Sequence, residues 1–310
     1  MVPFFSARHV EAAVPPERAY DAVRTAFVAH ARGEWTMQPK LYVTNYPAGD
    51  FRAMPALGGG HALLKWVTSF PGNPTHGLPT VSGVVILSSA ETGVVEAVMD
   101  AGSVTALRTG AAAALAAETL GVPGGSAAVI GAGVNGRAAA RSLKALGRDV
   151  AVWDVDSERA HSVAAGLGVG VATSREEALG ADIIVTVTPG KQILLPEGSL
   201  RPGQHVSLMG ADGPGKAEMA VEEIQRASIY CDEWEQASHG GELAAAVEAG
   251  AITRDDVTEL GAVLIGEATG RSSPDEITIF DSTGLAIQDL AIAIAAYEAA
   301  GDLDLPQLEF

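Results

Sequence analysis

The sequence predicts an α/β protein of two units, one a parallel sheet wound with helices and the other a β-rich module to which the end of the chain returns. Three observations carry this reading. Residues 127–154 run through a short apolar strand pattern, a glycine turn, an alanine-rich helix and a second strand. Beyond residue 154, strand and helix patterns keep alternating, as in a parallel sheet with crossover connections. Before residue 103 the pattern is short alternating strands broken by Gly and Pro turns.

Taken in order, residues 15–32 read as an amphipathic helix with Ala19, Val23, Ala26 and Phe27 on one face and Glu17, Arg18, Arg24 and Arg32 elsewhere. Residues 35–43 look like one strand, followed by the turn Tyr46-Pro47-Ala48-Gly49-Asp50. Strands are expected at 51–57 and 62–69, either side of Gly58-Gly59-Gly60, and then a loop at Pro71-Gly72-Asn73-Pro74, where two prolines and a glycine exclude regular structure. Strands 81–88 and 94–99 pair through a hairpin at Glu91-Thr92-Gly93. Residues 103–120 read as a long helix with Ser103 as its N-cap and Gly121-Val122-Pro123-Gly124-Gly125 as its stop. That change of period marks a boundary. Further on, 157–167 and 175–179 are expected helices, and 182–188, 205–209 and 229–232 expected strands. The apolar helix at 285–299 is too rich in alanine to expose a face. The expected organisation is therefore 1–124, 125–283, and a segment 284–310 that packs back on the first domain.

The turn Gly131-Ala132-Gly133-Val134-Asn135-Gly136 has the spacing of a dinucleotide site. Gly131 lets the chain turn sharply, Gly133 removes a side chain where a pyrophosphate must approach, and Gly136 lets helix and strand pack closely. A helix expected at 137–146 would offer its free N–H groups and dipole to the phosphates. The strand at 149–153 ends on Asp154, which suits a ribose 2′-hydroxyl and repels a 2′-phosphate. These features specify a Rossmann domain that binds NAD.

Composition narrows the partners. Of 310 residues, 47% are hydrophobic and 19% charged, an ordinary globular balance with room for two cores. Acidic side chains outnumber basic ones 38 to 20, a formal charge of −18, which disfavours nucleic acid and anionic membrane surfaces. Cys231 is the single cysteine, so no internal disulfide and no cysteine-built zinc site can form; it reads as a buried, inert thiol. The N-terminus lacks the pattern of a signal peptide and no apolar run reaches membrane-spanning length, so a cytoplasmic location is expected.

Once a nicotinamide is placed, the missing items are a cation for a substrate carboxylate, an acid/base group and a wall for the substrate. Lys65, flanked by Leu63, Leu64, Trp66 and Val67, either snorkels outward or points into a pocket. Arg108, early in an alanine-rich helix, is a bidentate carboxylate or phosphate clamp or else a solvated charge. Asp212, in a Gly/Pro-rich loop after a strand, is an acid/base group or a turn residue. His61, His76 and His239 match no metal-ligand spacing and read as surface or loop residues; no metal is expected. Glu242 reads as a helix-start carboxylate.

The blocks Arg52-Ala53-Met54-Pro55, Leu64-Lys65-Trp66, Phe70-Pro71-Gly72-Asn73-Pro74, Gly77-Leu78-Pro79-Thr80, Thr105-Ala106-Leu107-Arg108-Thr109-Gly110-Ala111, Gly210-Ala211-Asp212-Gly213-Pro214-Gly215-Lys216 and Phe280-Asp281-Ser282-Thr283-Gly284 occur in this order. Together they resemble the signature of the ornithine cyclodeaminase/μ-crystallin family, which also includes archaeal-type alanine dehydrogenases and the ketimine and pyrroline-2-carboxylate reductases. The resemblance covers residues 39–289. It implies a Rossmann domain plus a discontinuous α+β substrate and dimerisation domain, hence a homodimer. It makes Lys65 the substrate lysine, Asp212 the acid/base aspartate and Arg108 a contact to both cofactor and substrate. Gly131, Gly133 and Gly136 form the fingerprint, while Thr80, Thr109, Val134, Asn135, Asp154, Thr188, Val206, Ser207, Leu208, Met209, Lys216 and Ser282 fall on cofactor positions. Thr283 falls on the substrate wall, and Lys40 lies near the place of a basic residue that holds the substrate carboxylate, at a different spacing.

One departure is informative. Ornithine cyclodeaminases carry a glutamate in the block before Met-Pro, where this chain has Arg52. Arginine would repel a second substrate amino group. The expected function is therefore an NAD-dependent dehydrogenase or cyclic-imine reductase acting on a small amino acid, oxo acid or imine. The alternatives are a cyclodeaminase, which eliminates ammonia with no net redox change, and a μ-crystallin-like protein that binds dinucleotide and ligand without turnover.

Overall fold

Residues 1–190, 192–213 and 215–309 are described by the structure, a computed structural model. They fall into two units, one formed by Met1–Arg108 with the segment from Leu285 onward, the other by Thr109–Gly284.

Alternation builds the first unit. Strands Leu41–Asn45, Gly49–Gly58, His61–Ser69, Val81–Ser89 and Val95–Asp100 pair antiparallel in succession. Val2–Phe5 adds alongside Val95–Asp100 in parallel, and Gln307–Leu308 pairs on its outer side. On the central strand Leu63, Lys65 and Val67 face inward, while Leu64 and Trp66 face out. Successive side chains on a strand point to opposite faces, so burying Leu63 and Val67 carries Lys65 inward too. Helices Pro16–Ala31 and Ala286–Glu298 pack on each other, and the latter lies against the strands Gly49–Gly58 and His61–Ser69.

Several local expectations need correction. Residues 35–43 form two strands, not one: Thr36–Met37 pairs with Leu57 and Ala56, whereas Leu41–Asn45 pairs with residues 49–53. Pro39 lies between them, where a residue with no N–H interrupts a ladder. The segment after Phe70 is not irregular throughout, because Asn73–His76 forms a 3₁₀ turn. The Asn73 amide donates to the Pro79 carbonyl at 2.9 Å and the Thr75 hydroxyl to that of Gly72 at 2.7 Å. The long helix spans Ala101–Leu120 and its cap is Asp100, whose carboxylate accepts the Ser103 N–H at 2.7 Å. Ser103 is inside the first turn. The N-terminal strand and the helix Ala7–Ala13 were not anticipated.

The second unit is an eight-stranded parallel sheet. Its order is Gly170–Val171, Val150–Trp153, Ala127–Ile130, Ile183–Thr186, His205–Leu208, Thr278–Asp281, Ser228–Cys231 and Val257–Glu259. Ile130, Ile184, Val206, Leu208 and Ile279 share one buried cluster. From Ala127–Ile130 the chain first goes to one side, through Val150–Trp153, and then returns to the other at Ile183–Thr186. The crevice at that reversal, beyond the carboxyl ends of the strands, is where such sheets bind ligands.

The expected helix at 137–146 is Val134–Ala145, starting directly after Gly133. Composition marks the unit boundary at 124/125, whereas packing divides the chain inside the long helix, at Arg108/Thr109. The cause is Gly110, where a Cβ would lie 2.6 Å from the Ala138 backbone, so this part of the helix closes onto Val134–Ala145. Among the described residues no helix is long and apolar enough to cross a membrane.

Candidate functional site

In the second unit the glycine turn behaves as its spacing requires. Gly131 has φ 109° and a Cβ there would lie 2.6 Å from the Val187 carbonyl oxygen; a Cβ on Gly136 would overlap the carbonyl of Gly131. Gly133, the helix N-cap, is different, since a Cβ there would meet nothing within 4 Å. That open space in front of a helix N-terminus is the cradle a pyrophosphate needs. Val134 is exposed, Asn135 half-buried. Asp154 accepts the Ala132 N–H at 2.6 Å and the Asp156 N–H at 2.9 Å, tying the second strand end to the turn. A carboxylate offers about four acceptor positions, so room remains for ribose hydroxyls. A cavity of about 290 Å³ opens beside it, lined by Trp153, Ser157, His161 and Thr173. The larger cavity, about 450 Å³, lies near Ser228 and Thr258 and holds none of the expected site residues. The residues present thus fit a dinucleotide.

The loops at the carboxyl ends of the next strands carry the other candidates. Asp212 pairs with Lys216, both partly exposed; Pro214, in the same expected loop, lies outside the described residues. Thr188 donates its N–H to Glu218 at 3.0 Å and its hydroxyl to the same oxygen. Ser282 donates to Asp232 at 3.1 Å, and the Thr283 hydroxyl lies 3.5 Å from its other oxygen. Val206, Ser207, Leu208 and Met209 are buried, with the Ser207 hydroxyl on His205 at 2.9 Å. Thr109 is also buried.

In the first unit, Arg52, Lys65 and Arg108 come together. Lys65 Nζ is 2.9 Å from Asp289 Oδ1, both side chains being buried, and Arg108 Nε stands 3.7 Å from the same oxygen. Arg52 pairs with Asp50 at 2.6 Å. Met54 lies opposite Lys65 in register, which puts Arg52 on the same inward row. Burial lowers the Lys65 pKa to about 8, opposed by Asp289 and assisted by Arg108 and Arg52. Lys65 and Arg108 thus share the carboxylate of Asp289, while Arg52 pairs with Asp50. Among the described residues Arg108 Nε and Asp289 Oδ2 are buried without a hydrogen-bond partner, so each has capacity for a further bond. Lys40 and Thr80, in the same unit, are half-buried, Lys40 between two strands and Thr80 just before Val81–Ser89.

Asp50, Asp289, Glu218 and Asp232 were missed. Asp289 had a signal, an acid in the first turn of an otherwise largely apolar helix. Glu242 needs correction: it caps no helix. Buried, it accepts the N–H groups of Glu218 and Met219, each at 2.6 Å. Burial, with Glu218 nearby, raises its pKa to about 7 against those two hydrogen bonds. Raised from 4.5, this group favours the folded state below pH 4.5 and loses that contribution as pH rises through about 7. Glu242→Gln keeps the accepting carbonyl without the buried charge. Its stability relative to wild type is expected to grow by about 3 kcal/mol between pH 4 and 8, read from urea midpoints; a pH-independent difference would refute this.

Cys231 is buried and its thiol pushed up by burial. His61 pairs with Glu96 at 2.7 Å, His76 sits in the 3₁₀ turn and His239 in the short helix Trp234–Gly240. Among the described residues no group of three His, Cys, Asp or Glu side chains could hold a metal.

The family model described as ornithine cyclodeaminase/mu-crystallin matches residues 3–303. An alanine dehydrogenase of Archaeoglobus fulgidus is 44% identical over 303 residues, covering 94% of this chain and 92% of its own. An archaeal alanine dehydrogenase, solved as a dimer with bound NAD, superposes with a TM-score of 0.92 at 41% identity, covering 97% of this chain and 96% of that one. The Δ1-pyrroline-2-carboxylate reductase of Thermococcus litoralis, solved with NADH and L-proline, gives 0.91 at 26% identity, covering 97% and 98%. With the fingerprint, the cationic cluster and a match over nearly its whole length, this chain belongs to the ornithine cyclodeaminase/mu-crystallin family.

Proposed function

We propose that the protein is an NAD-dependent oxidoreductase acting at the α-carbon of a small amino acid or its imine, as an alanine dehydrogenase or a cyclic-imine reductase does. The observation that carries this reading is the buried cluster of Lys65, Arg52 and Arg108, in which Lys65 and Arg108 share one carboxylate, in a chain that also holds a dinucleotide cradle. When bound, NAD supplies or accepts the hydride. The turn at Gly131–Gly136 holds the pyrophosphate and Asp154 the ribose, while Thr80, Thr109, Thr188, Lys216, Ser282 and residues 206–209 complete the cofactor contacts. Lys65 and Arg108 hold the substrate carboxylate, assisted by Lys40, and Thr283 walls the site. Arg52, although paired with Asp50, keeps the cluster unfavourable to a second amino group. Asp212 takes or returns the proton on the substrate nitrogen, or on the water that attacks an imine.

A second copy of this chain covers the outer sheet face, where Leu41, Val43, Leu64, Trp66 and Val84 are exposed on neighbouring strands. Single exposed apolar residues are ordinary, but a contiguous face of them marks an interface. The solved archaeal relative is a dimer. A cytoplasmic enzyme agrees with a chain whose single cysteine is buried.

The test is absorbance at 340 nm with purified protein. NADH is paired with pyruvate plus ammonia, pyrroline-2-carboxylate and piperideine-2-carboxylate, and NAD with alanine, proline and ornithine. NADH oxidation with one of the first set is expected. Ammonia released from ornithine without net absorbance change would instead make the protein a cyclodeaminase, and NADH binding without any turnover would leave a binding protein.

A further inference from the structure

The carboxylate of Glu218, fully buried, gathers its donors from two neighbouring strand ends. Its Oε2 accepts the Thr186 hydroxyl at 2.7 Å, and its Oε1 accepts both the N–H and the hydroxyl of Thr188. The Gly210 N–H donates to the same carboxylate. Thr186 ends the strand Ile183–Thr186, and Gly210 follows His205–Leu208, its parallel neighbour. A Cβ on Gly210 would lie 2.5 Å from Glu218 Oε2, so the glycine is what lets the carboxylate reach this place. Glu218 is itself held by its backbone: its N–H is bound by Glu242, and its carbonyl accepts the N–H groups of Leu194 and Leu195 at 2.6 and 3.0 Å.

A buried carboxylate is costly to dehydrate, and burial raises the pKa of this one against its hydrogen bonds. A neutral side chain would fill the same space without that cost. What an acid adds here is the capacity to accept several donors at once from separate loops. Asp212 and Lys216 lie on the chain between Gly210 and Glu218, so the segment bearing them is tied at both ends to one group. The same group fixes Thr188.

We propose that Glu218 is a positioning residue that locks the Thr188 loop and the Asp212 loop into a single register, so that cofactor contact and proton transfer are set together. It touches neither substrate nor cofactor in this account. The proposal rests on the roles given above to Asp212 and Thr188, and the test separates the two.

Glu218→Gln keeps the shape but places an amide N–H₂ where one set of donors now points. In the full-length protein it is expected to raise the NADH dissociation constant, followed by fluorescence, about tenfold, and to lower kcat about a hundredfold, the scale of effect seen when reacting groups shift by an ångström. Without NADH present, amide hydrogen exchange at residues 187–190 and 210–213 should quicken while the rest of the sheet stays protected. Thr186→Val, which removes one donor, should move all three readouts the same way by less, and Thr186→Ser should restore them. Should Glu218→Gln fail to fold, the Thr186 pair decides alone. A folded Glu218→Gln with wild-type exchange, NADH affinity and kcat overturns the proposal, as does a lowered melting temperature with those three unchanged. If Asp212→Asn retains kcat while Glu218→Gln still weakens NADH binding, the assignment of Asp212 falls and the tie stands.

Discussion

Replacing Asp212 with Asn is expected to lower kcat about a thousandfold while leaving NADH affinity within about twofold, because a positioned acid/base group contributes on that scale and asparagine cannot take up a proton. The substitution is nearly isosteric. It removes the charge that pairs with Lys216, but both side chains are partly exposed, so the stability change should stay within about 1 kcal/mol. Loss of turnover with an unchanged melting temperature would thus report chemistry and not folding. The measurement is steady-state NADH oxidation beside a fluorescence titration. Retention of a tenth or more of the wild-type kcat would remove Asp212 from the proton-transfer role.

Lys65→Met should act on both folding and binding. Lys65 and Asp289 form an ion pair with both side chains buried. Removing the cation breaks this buried pair and leaves Asp289 with only the longer approach of Arg108 Nε at 3.7 Å, so the variant should lose about 3 kcal/mol of stability, the cost of taking one partner from a buried ion pair. Substrate KM should rise about a hundredfold as the carboxylate loses its ammonium. The double variant Lys65→Met/Asp289→Asn separates the effects: stability should return toward wild type while KM stays high. Full recovery of KM in the double variant would reduce Lys65 to a structural partner of Asp289. In the wild type, Lys65 carries its charge below a pKa of about 8 and loses it above. Substrate KM should accordingly be flat below pH 8 and rise about tenfold per unit above it.

The nucleotide unit was legible where its logic is local. Gly131, Gly133, Gly136 and Asp154 announce themselves because each satisfies a requirement of its own few neighbours: a positive φ, an open approach, a close packing, a strand end. Strands Gly170–Val171 and Val257–Glu259 escaped notice because elements of two or three residues display no period, and Thr278–Asp281 owes its place to partners at residues 205–208 and 228–231. The site followed the same division. Lys65 was visible as a cation in an apolar strand, but its direction rested on which strand face is covered, and its partner lies 224 residues away. Glu218 gave no sign at all, since a glutamate that gathers hydroxyls and amides from separate loops looks in sequence like any solvated charge. Ser103 illustrates the opposite error, a residue with good capping propensity overruled by Asp100 three positions earlier.

The placement of Thr278–Asp281 between His205–Leu208 and Ser228–Cys231, together with the return of Ala286–Glu298 to the unit that starts at Met1, bears on how the chain is born. Domains made during synthesis usually fold one after another from the N-terminus. Here neither unit can close early. A nascent chain halted before residue 278 presents two strand edges with the gap between them unfilled, and a sheet whose inner face lacks its covering helix. Both are adhesive surfaces. Until the ribosome has released residues 278–298, both surfaces stay open, and the risk of misassociation lasts for nearly the whole of synthesis.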